Sequence, residues 1–251
     1  MHSVVMIGSG NLATQLAIQL KKNKFLIKQV YSRNLTNAKS LASLLNTEYT
    51  NNLSKLFDAD LTIIATKDSA IEEVLTKINS NSIVHTSGTT SLDIFENRFK
   101  NYGVIYPVQT FKKNIEIDFS KIPICVEASN KNFLSDLILL SKKLSEKVIK
   151  INSDQRKKIH LAAVFSCNFT NYLFTIAYEI LENENIDFSI LHPLIQKSID
   201  NLKTNQPSKI QTGPAKRKDL NIINEHINLM SFKEYKEIYN LITDNIIKRN
   251  E

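Results

Sequence analysis

Short apolar runs alternate with amphipathic stretches through most of the first 150 residues, and the two periods predict strands and helices in turn. Ser3-Val4-Val5-Met6-Ile7 reads as a strand closed by Gly8, and Leu12, Leu16 and Leu20 form one face of a helix from Asn11 to Lys21. A second strand follows at Leu26 to Tyr31, a helix at Thr36 to Leu45, and a third apolar run at Leu61-Thr62-Ile63-Ile64-Ala65. Ile83 to Thr86, Val104 to Tyr106 and Ile124 to Val126 are further strands, with helical patterns at Ser69 to Lys77 and Asn132 to Leu144. Such alternation predicts an α/β fold: a doubly wound, mostly parallel sheet of Rossmann type, covered on both faces.

After Lys147-Val148-Ile149-Lys150-Ile151 the strand period stops. Ser153 is a plausible cap for one long helix running from Asp154 to about Glu182. Asp187 to Leu202, with a distortion expected at Pro193, Leu220 to Leu229 and Phe232 to Lys248 complete an all-helical part. The expected division is therefore 1–152 for the sheet domain and 153–251 for the helical domain.

With 251 residues, 42% of them hydrophobic, the chain can bury substantial cores, and global disorder is excluded. Cys125 and Cys167 lie far apart with no ligand spacing, so both read as small core residues, and no metal site is expected. The net charge of +7 is interleaved with acids instead of forming a basic block, which suits a small anionic substrate and argues against nucleic acid. No uninterrupted apolar run reaches the roughly 18 to 20 residues of a membrane span, and the start lacks signal-peptide features. The expectation is a cytoplasmic protein with no membrane partner.

Gly8-Ser9-Gly10-Asn11-Leu12-Ala13 matches G-x-G-x-x-A between the first strand and first helix, the context that gives this pattern meaning. Gly8 allows the tight turn, and Gly10 lets a pyrophosphate approach free N–H groups at a helix start. Two of only five glycines fall here. An acid after the second strand would select NAD, but the strand ends in Ser32-Arg33, a hydroxyl and a guanidinium suited to the 2′-phosphate of NADP(H). A solvated Arg33 is the alternative. Ala65-Thr66-Lys67 and Thr86-Ser87-Gly88 end later strands, where a doubly wound sheet places its ligand crevice. Asp68 is a candidate helix cap.

On an ideal α-helix, with about 100° per residue, Asn168 and Asn171 share a stripe with His160. Their bland role is to bond one another or neighbouring helices; their sharper role is a substrate site. Gln211-Thr212-Gly213-Pro214-Ala215-Lys216-Arg217-Lys218-Asp219 breaks the helical pattern. Arg217 is suited to clamp a carboxylate in bidentate fashion, with a solvated interhelical loop as the alternative. His226 is either a second acid or structural.

Gly8-Ser9-Gly10-Asn11, His85-Thr86-Ser87-Gly88, Tyr106-Pro107-Val108-Gln109-Thr110-Phe111, Asn168-Phe169-Thr170-Asn171 and the Gln211–Asp219 stretch together resemble a bacterial family that joins a Rossmann-like domain to a helical domain of long-unknown function. In fold that family is similar to the superfamily of 6-phosphogluconate dehydrogenase, pyrroline-5-carboxylate reductase and ketopantoate reductase. Some members resemble an alternative ketopantoate reductase of pantothenate biosynthesis. The resemblance implies an NADPH-dependent oxidoreductase acting on a small 2-oxo acid, with ketopantoate (2-dehydropantoate) as specific substrate and a homodimer through the helical domain. On the reductase hypothesis the catalytic residues are His160, which gives the proton, Asn168 and Asn171, which orient the keto oxygen, and Arg217, which holds the carboxylate, with Gln109, Thr212 and Gly213 also on the substrate. The similar reductases carry a Lys followed by an Asn on the long helix where this chain has His160, with Lys157 and Lys158 just before it, so the proton donor stays open. An imine reductase like pyrroline-5-carboxylate reductase and a non-catalytic NADP(H) sensor are the alternative functions.

Overall fold

A computed structural model describes residues 1–96, 98–115 and 117–250. Strands β1 (Ser3–Ile7), β2 (Leu26–Tyr31), β3 (Glu48–Thr50), β4 (Leu61–Ile64), β5 (Ser82–His85), β6 (Asn101–Pro107), β7 (Ile124–Ala128) and β8 (Val148–Lys150) form one sheet in the order β3-β2-β1-β4-β5-β6-β7-β8. Neighbours are parallel except β6 and β7, which pair antiparallel. The strand order reverses between β1 and β4, the switch point where a doubly wound sheet opens a crevice at the carboxyl ends of its strands. The fold class is thus the expected one.

The period of two sorts the core into layers. Val4 and Met6 of β1 face a cluster built with Leu16 and Leu20 of α1 (Asn11–Lys22), Leu41 of α2 (Leu35–Leu45) and Leu137 of α4 (Lys131–Leu144). Val5 and Ile7 face the opposite cluster, with Ile71 and Val74 of α3 (Ile71–Leu75) and Phe95. Two elements escaped the periodicity: β3 has only three residues with two of them exposed, and the predicted helix at 69–77 is a 3₁₀ turn followed by the short α3.

The chain divides into two compact units, Met1–Val164 and Phe165–Glu251, so the division falls after Val164 and not after residue 152. The reason lies in α5 (Ser153–Ala163). Its cap is Asn152, whose side chain accepts from the Gln155 N–H in a reciprocal capping box, not Ser153. Ser153 instead donates to Glu127 at 2.9 Å and accepts from the Leu92 N–H at 2.9 Å. Arg156 is fully buried, and its guanidinium donates to the Glu127 carboxylate and the Thr90 carbonyl. Severing such a buried pair leaves an uncompensated charge and costs about 3–5 kcal/mol. Together with Ile159, packed beside Val104 and Cys125, these contacts tie α5 to β6 and β7.

The second unit is helical among its described residues: α6 (Thr170–Glu182), α7 (His192–Asn201), α8 (Pro214–Arg217), α9 (Leu220–Leu229) and α10 (Lys233–Lys248). Pro193 lies in the first turn of α7, where its missing N–H is harmless, so it starts that helix instead of distorting it. A π-helical stretch, Val164–Phe169, interrupts the long helix, and its wider i→i+5 turn invalidates the α-helical arithmetic that put His160, Asn168 and Asn171 on one stripe. Cys125 is buried, whereas Cys167 is exposed, against the expectation of two core cysteines. Ser153–Glu182 also proves long and apolar enough by length and composition to cross a bilayer, with an 18-residue window of mean hydropathy 1.2. Asn168 and Asn171 divide its apolar residues, so no uninterrupted apolar run marks it in the sequence.

His85 at the end of β5 is fully buried, stacks on Phe95 at 5.6 Å and accepts the Ser87 N–H through Nδ1 at 3.1 Å. Burial, aided by the Arg156 charge, lowers its pKa from 6.5 to about 3. The unfolded chain therefore takes up a proton near pH 6.5 that the native state refuses. The stability this neutral ring contributes is complete above pH 6.5 and is lost as the pH falls towards 3, with a slope of up to about 1.4 kcal/mol per pH unit. Denaturant midpoints measured from neutral to acid pH should show this decline, and His85→Gln should flatten it; an unchanged slope contradicts the assignment.

Candidate functional site

The first strand-to-helix turn fixes the centre of the site. Gly8 has φ +127°, and a Cβ there would lie 2.2 Å from the Ala65 carbonyl oxygen, so both backbone conformation and close approach of the β4 end demand glycine. Its N–H donates to the Tyr31 carbonyl at 2.8 Å, which pins the turn to β2. At Gly10, before α1, a Cβ would meet nothing within 4 Å. The backbone there faces open space, as a pyrophosphate cradle requires.

Around this turn opens a crevice of about 630 Å³ within the first unit. Gly8, Ser9, Gly10, Asn11 and Leu12 line it with Ser32 and Arg33 after β2, Ala65, Thr66 and Lys67 after β4, and Thr86, Ser87 and Gly88 after β5. Every residue expected at the cofactor thus lies on one surface. The Ser9 hydroxyl donates to Ser32 at 2.8 Å, which joins the first two loops. Ser87 organises the third, accepting the N–H groups of Thr89 at 3.1 Å and Thr90 at 2.9 Å. Asp68 does not cap a helix through its side chain; its carboxylate accepts from Thr89 and links the β4 and β5 loops.

No acid occupies the position after β2, and the crevice wall there is cationic. Glu73 also reaches the wall, but Lys77 binds it at 2.6 Å; that hydrogen bond first, with the nearby Arg33 contributing, holds its carboxyl below the ordinary range. The glycine turn, the open ground above Gly10 and the hydroxyl–guanidinium pair Ser32 and Arg33 fit a dinucleotide carrying a 2′-phosphate.

His160 and Tyr106 complete the wall. His160 Nδ1 lies 3.1 Å from the Tyr106 hydroxyl, and the ring rests so closely on Gly88 that a Cβ there would come within 2.6 Å of Nδ1. Sequence reasoning placed His160 among the candidates but passed over Tyr106. Tyr106 ends a strand neighbouring β5, and the strand-end rule that selected Ala65 and Thr86 applies to it equally.

The remaining expected residues lie elsewhere. Gln109 is exposed, accepts the Thr110 N–H at 2.8 Å and is outside the crevice wall. Asn168, Asn171 and Arg217 belong to the second unit and are exposed, so no buried polar group among them demands a partner. Thr212 and Gly213 line a separate groove of about 380 Å³ inside the second unit, together with His226, whose Nδ1 lies 2.9 Å from the Tyr239 hydroxyl. That groove is otherwise mostly apolar. No cluster of His, Cys, Asp and Glu that could hold a metal occurs among the described residues.

Residues 3–86 match the family model described as NADP oxidoreductase coenzyme F420-dependent, and residues 122–246 match a domain of unknown function, DUF2520. No curated protein matches the chain. Among solved structures, the "putative NADP oxidoreductase BF3122" of Bacteroides fragilis is 38% identical, covers 98% of each chain and has a TM-score of 0.93. Protein TM1727 of Thermotoga maritima is 24% identical, with 98% and 96% of the two chains covered and a TM-score of 0.72. The 1-pyrroline-5-carboxylate reductase of Streptococcus pyogenes shares the fold at 15% identity, 99% and 97% coverage and a TM-score of 0.66. With a glycine turn and cationic crevice that fit the dinucleotide, the protein belongs to the family of the Bacteroides fragilis NADP oxidoreductase, and NADP(H) is its cofactor.

Proposed function

We propose that the protein is an NADPH-dependent reductase of a small 2-oxo acid, and that it reduces ketopantoate to pantoate. The observation that carries the reading is the position of His160, a titratable imidazole in the wall of the same crevice as the glycine turn. When bound, NADPH supplies the hydride that the keto carbon accepts. His160 donates a proton to the oxygen on which charge develops. The excess of basic residues, a net charge of +7, favours an anionic substrate. Arg217 is proposed to hold the carboxylate, and Asn168 and Asn171 to orient the keto oxygen; their exposure leaves these side chains accessible. Gln109, Thr212 and Gly213 are proposed on the substrate with them.

An imine reductase is the second reading, favoured by the fold shared with 1-pyrroline-5-carboxylate reductase. An imine arriving protonated needs no acid from the protein. His160→Gln separates the two, since it removes the proton donor for an oxo acid and spares reduction of a protonated imine.

We also propose that a second copy of this chain covers the helical unit. Among its described residues only Ala215, Ile223 and Thr243 are buried, while Phe165, Phe169, Leu194, Leu229 and Leu241 are at least half exposed. A unit of 87 residues with so small a core leaves far more apolar surface in water than monomeric proteins tolerate. Sedimentation at micromolar concentration should show a dimer; a monomer, or a chain that partitions onto lipid vesicles, contradicts the proposal.

Ketopantoate added to the purified protein should consume NADPH much faster than NADH. Arg217→Ala should raise the apparent KM for ketopantoate roughly 10- to 100-fold, the worth of a charge-assisted bidentate contact, and leave that for NADPH nearly unchanged. Equal effects on both remove Arg217 from the substrate, and NADPH binding without turnover of any oxo acid or imine favours a sensor.

A further inference from the structure

Tyr106 has no part in the chemistry so far, yet its surroundings are unusual for a strand residue. It is only 9% exposed, it reaches the crevice wall, and its hydroxyl meets Nδ1 of His160 at 3.1 Å with the two rings edge to face. Burial, with Cys125 contributing, raises the pKa of its hydroxyl, so the phenol stays protonated and keeps both a donor and an acceptor. The other titratable groups around it are Asp68 from the loop after β4 and Arg156, one turn before His160 on α5.

An imidazole presents two different nitrogens, and which one serves a substrate is decided by what the other is bonded to. At His160 the Nδ1 edge is taken: Tyr106 bonds it, and the Gly88 backbone lies against Nδ1, Cγ and Cβ. No such contact occupies Nε2 among the described residues. A hydroxyl suits this position in both charge states of the ring, because it donates to a bare Nδ1 and, after rotating, accepts from a protonated one.

We propose that Tyr106 is a positioning residue that holds His160 with Nδ1 inward in both protonation states, so that Nε2 is the atom presented to the substrate. Gly88 is the permissive half of the device, because any side chain there would push the ring from its seat. The catalytic consequence rests on the reductase reading above. In that step hydride adds to the carbonyl carbon, the C=O π pair moves to oxygen, and that oxygen takes the proton from Nε2 of the imidazolium. The Nε2–H bond breaks as the O–H bond forms, Nδ1–H remains bonded to the Tyr106 oxygen, and solvent returns the proton to Nε2.

The test is ¹⁵N NMR of histidine-labelled full-length protein, wild type against Tyr106→Phe, which keeps the ring and removes only the hydroxyl. In the wild type His160 should be almost wholly the Nε2–H tautomer at alkaline pH, and at acid pH should show an Nδ1–H protected from exchange. Tyr106→Phe should mix the tautomers and abolish the protection while NADPH affinity stays within about two-fold. With ketopantoate, kcat should fall on the order of 10- to 100-fold in Tyr106→Phe with little change in KM, part of the 100-fold or more that a positioned acid supplies. Gly88→Ala, which displaces the ring and keeps the hydroxyl, should loosen the same Nδ1–H. A wild-type ring dominated by the Nδ1–H tautomer, His160 signals unchanged in Tyr106→Phe, or kcat unchanged in that variant overturns the proposal. If the wild type reduces no ketopantoate, the reductase reading fails while the tautomer measurement still decides the role of Tyr106.

Discussion

The first unit depends on one buried charge. Arg156 has no access to solvent, and Glu127 on β7, Ser153 on its own helix and the Thr90 carbonyl accept from its two terminal nitrogens, while Nε has no partner among the described residues. A planar fork that ties α5 to two other segments leaves little freedom in where the helix begins or how it is rotated. His160 follows one helical turn later, and the same contacts hold the loop that carries Ser87 and Gly88. The imidazole and the glycine it rests on are thus positioned by one network, and the crevice wall at Tyr106 follows from it.

Much of this fold was legible because sheet burial imposes a simple period. β1, β2, α2 and α4 fall within a residue of where alternation and helical spacing put them, and the glycine turn announced the crevice. What the sequence hid was local or long-range. β3 is too short and too exposed to carry a period. Nothing in Asp154-Gln155-Arg156-Lys157-Lys158 marks Arg156 as the member that is buried; only the partner on β7, 29 positions away, decides that. The π-helical stretch is likewise invisible to a 3.6-residue period, which is why Asn168 and Asn171 were aligned with His160 by an arithmetic that does not hold.

The two units differ in kind. The first closes its cores on both faces of the sheet, and its crevice lies at the strand ends. The second keeps apolar side chains in water along most of its helices, and polar pairs such as His226 with Tyr239 and Tyr235 with Glu179 are buried only in part. The Glu179 hydrogen bond pushes the Tyr235 hydroxyl up to about 12, so this phenol stays protonated and keeps its donor. The residues that line the dinucleotide crevice all belong to the first unit.

Ser32 and Arg33 stand where the 2′-phosphate of NADPH would be recognised. Calorimetric titration of the full-length protein with NADPH and NADH, repeated with Arg33→Ala, tests this assignment most directly. NADPH should bind tighter than NADH by at least about tenfold, the equivalent of roughly 1.4 kcal/mol, with most of that preference lost in the variant. Equal affinity for the two cofactors, or a preference untouched by removing the guanidinium, would contradict it.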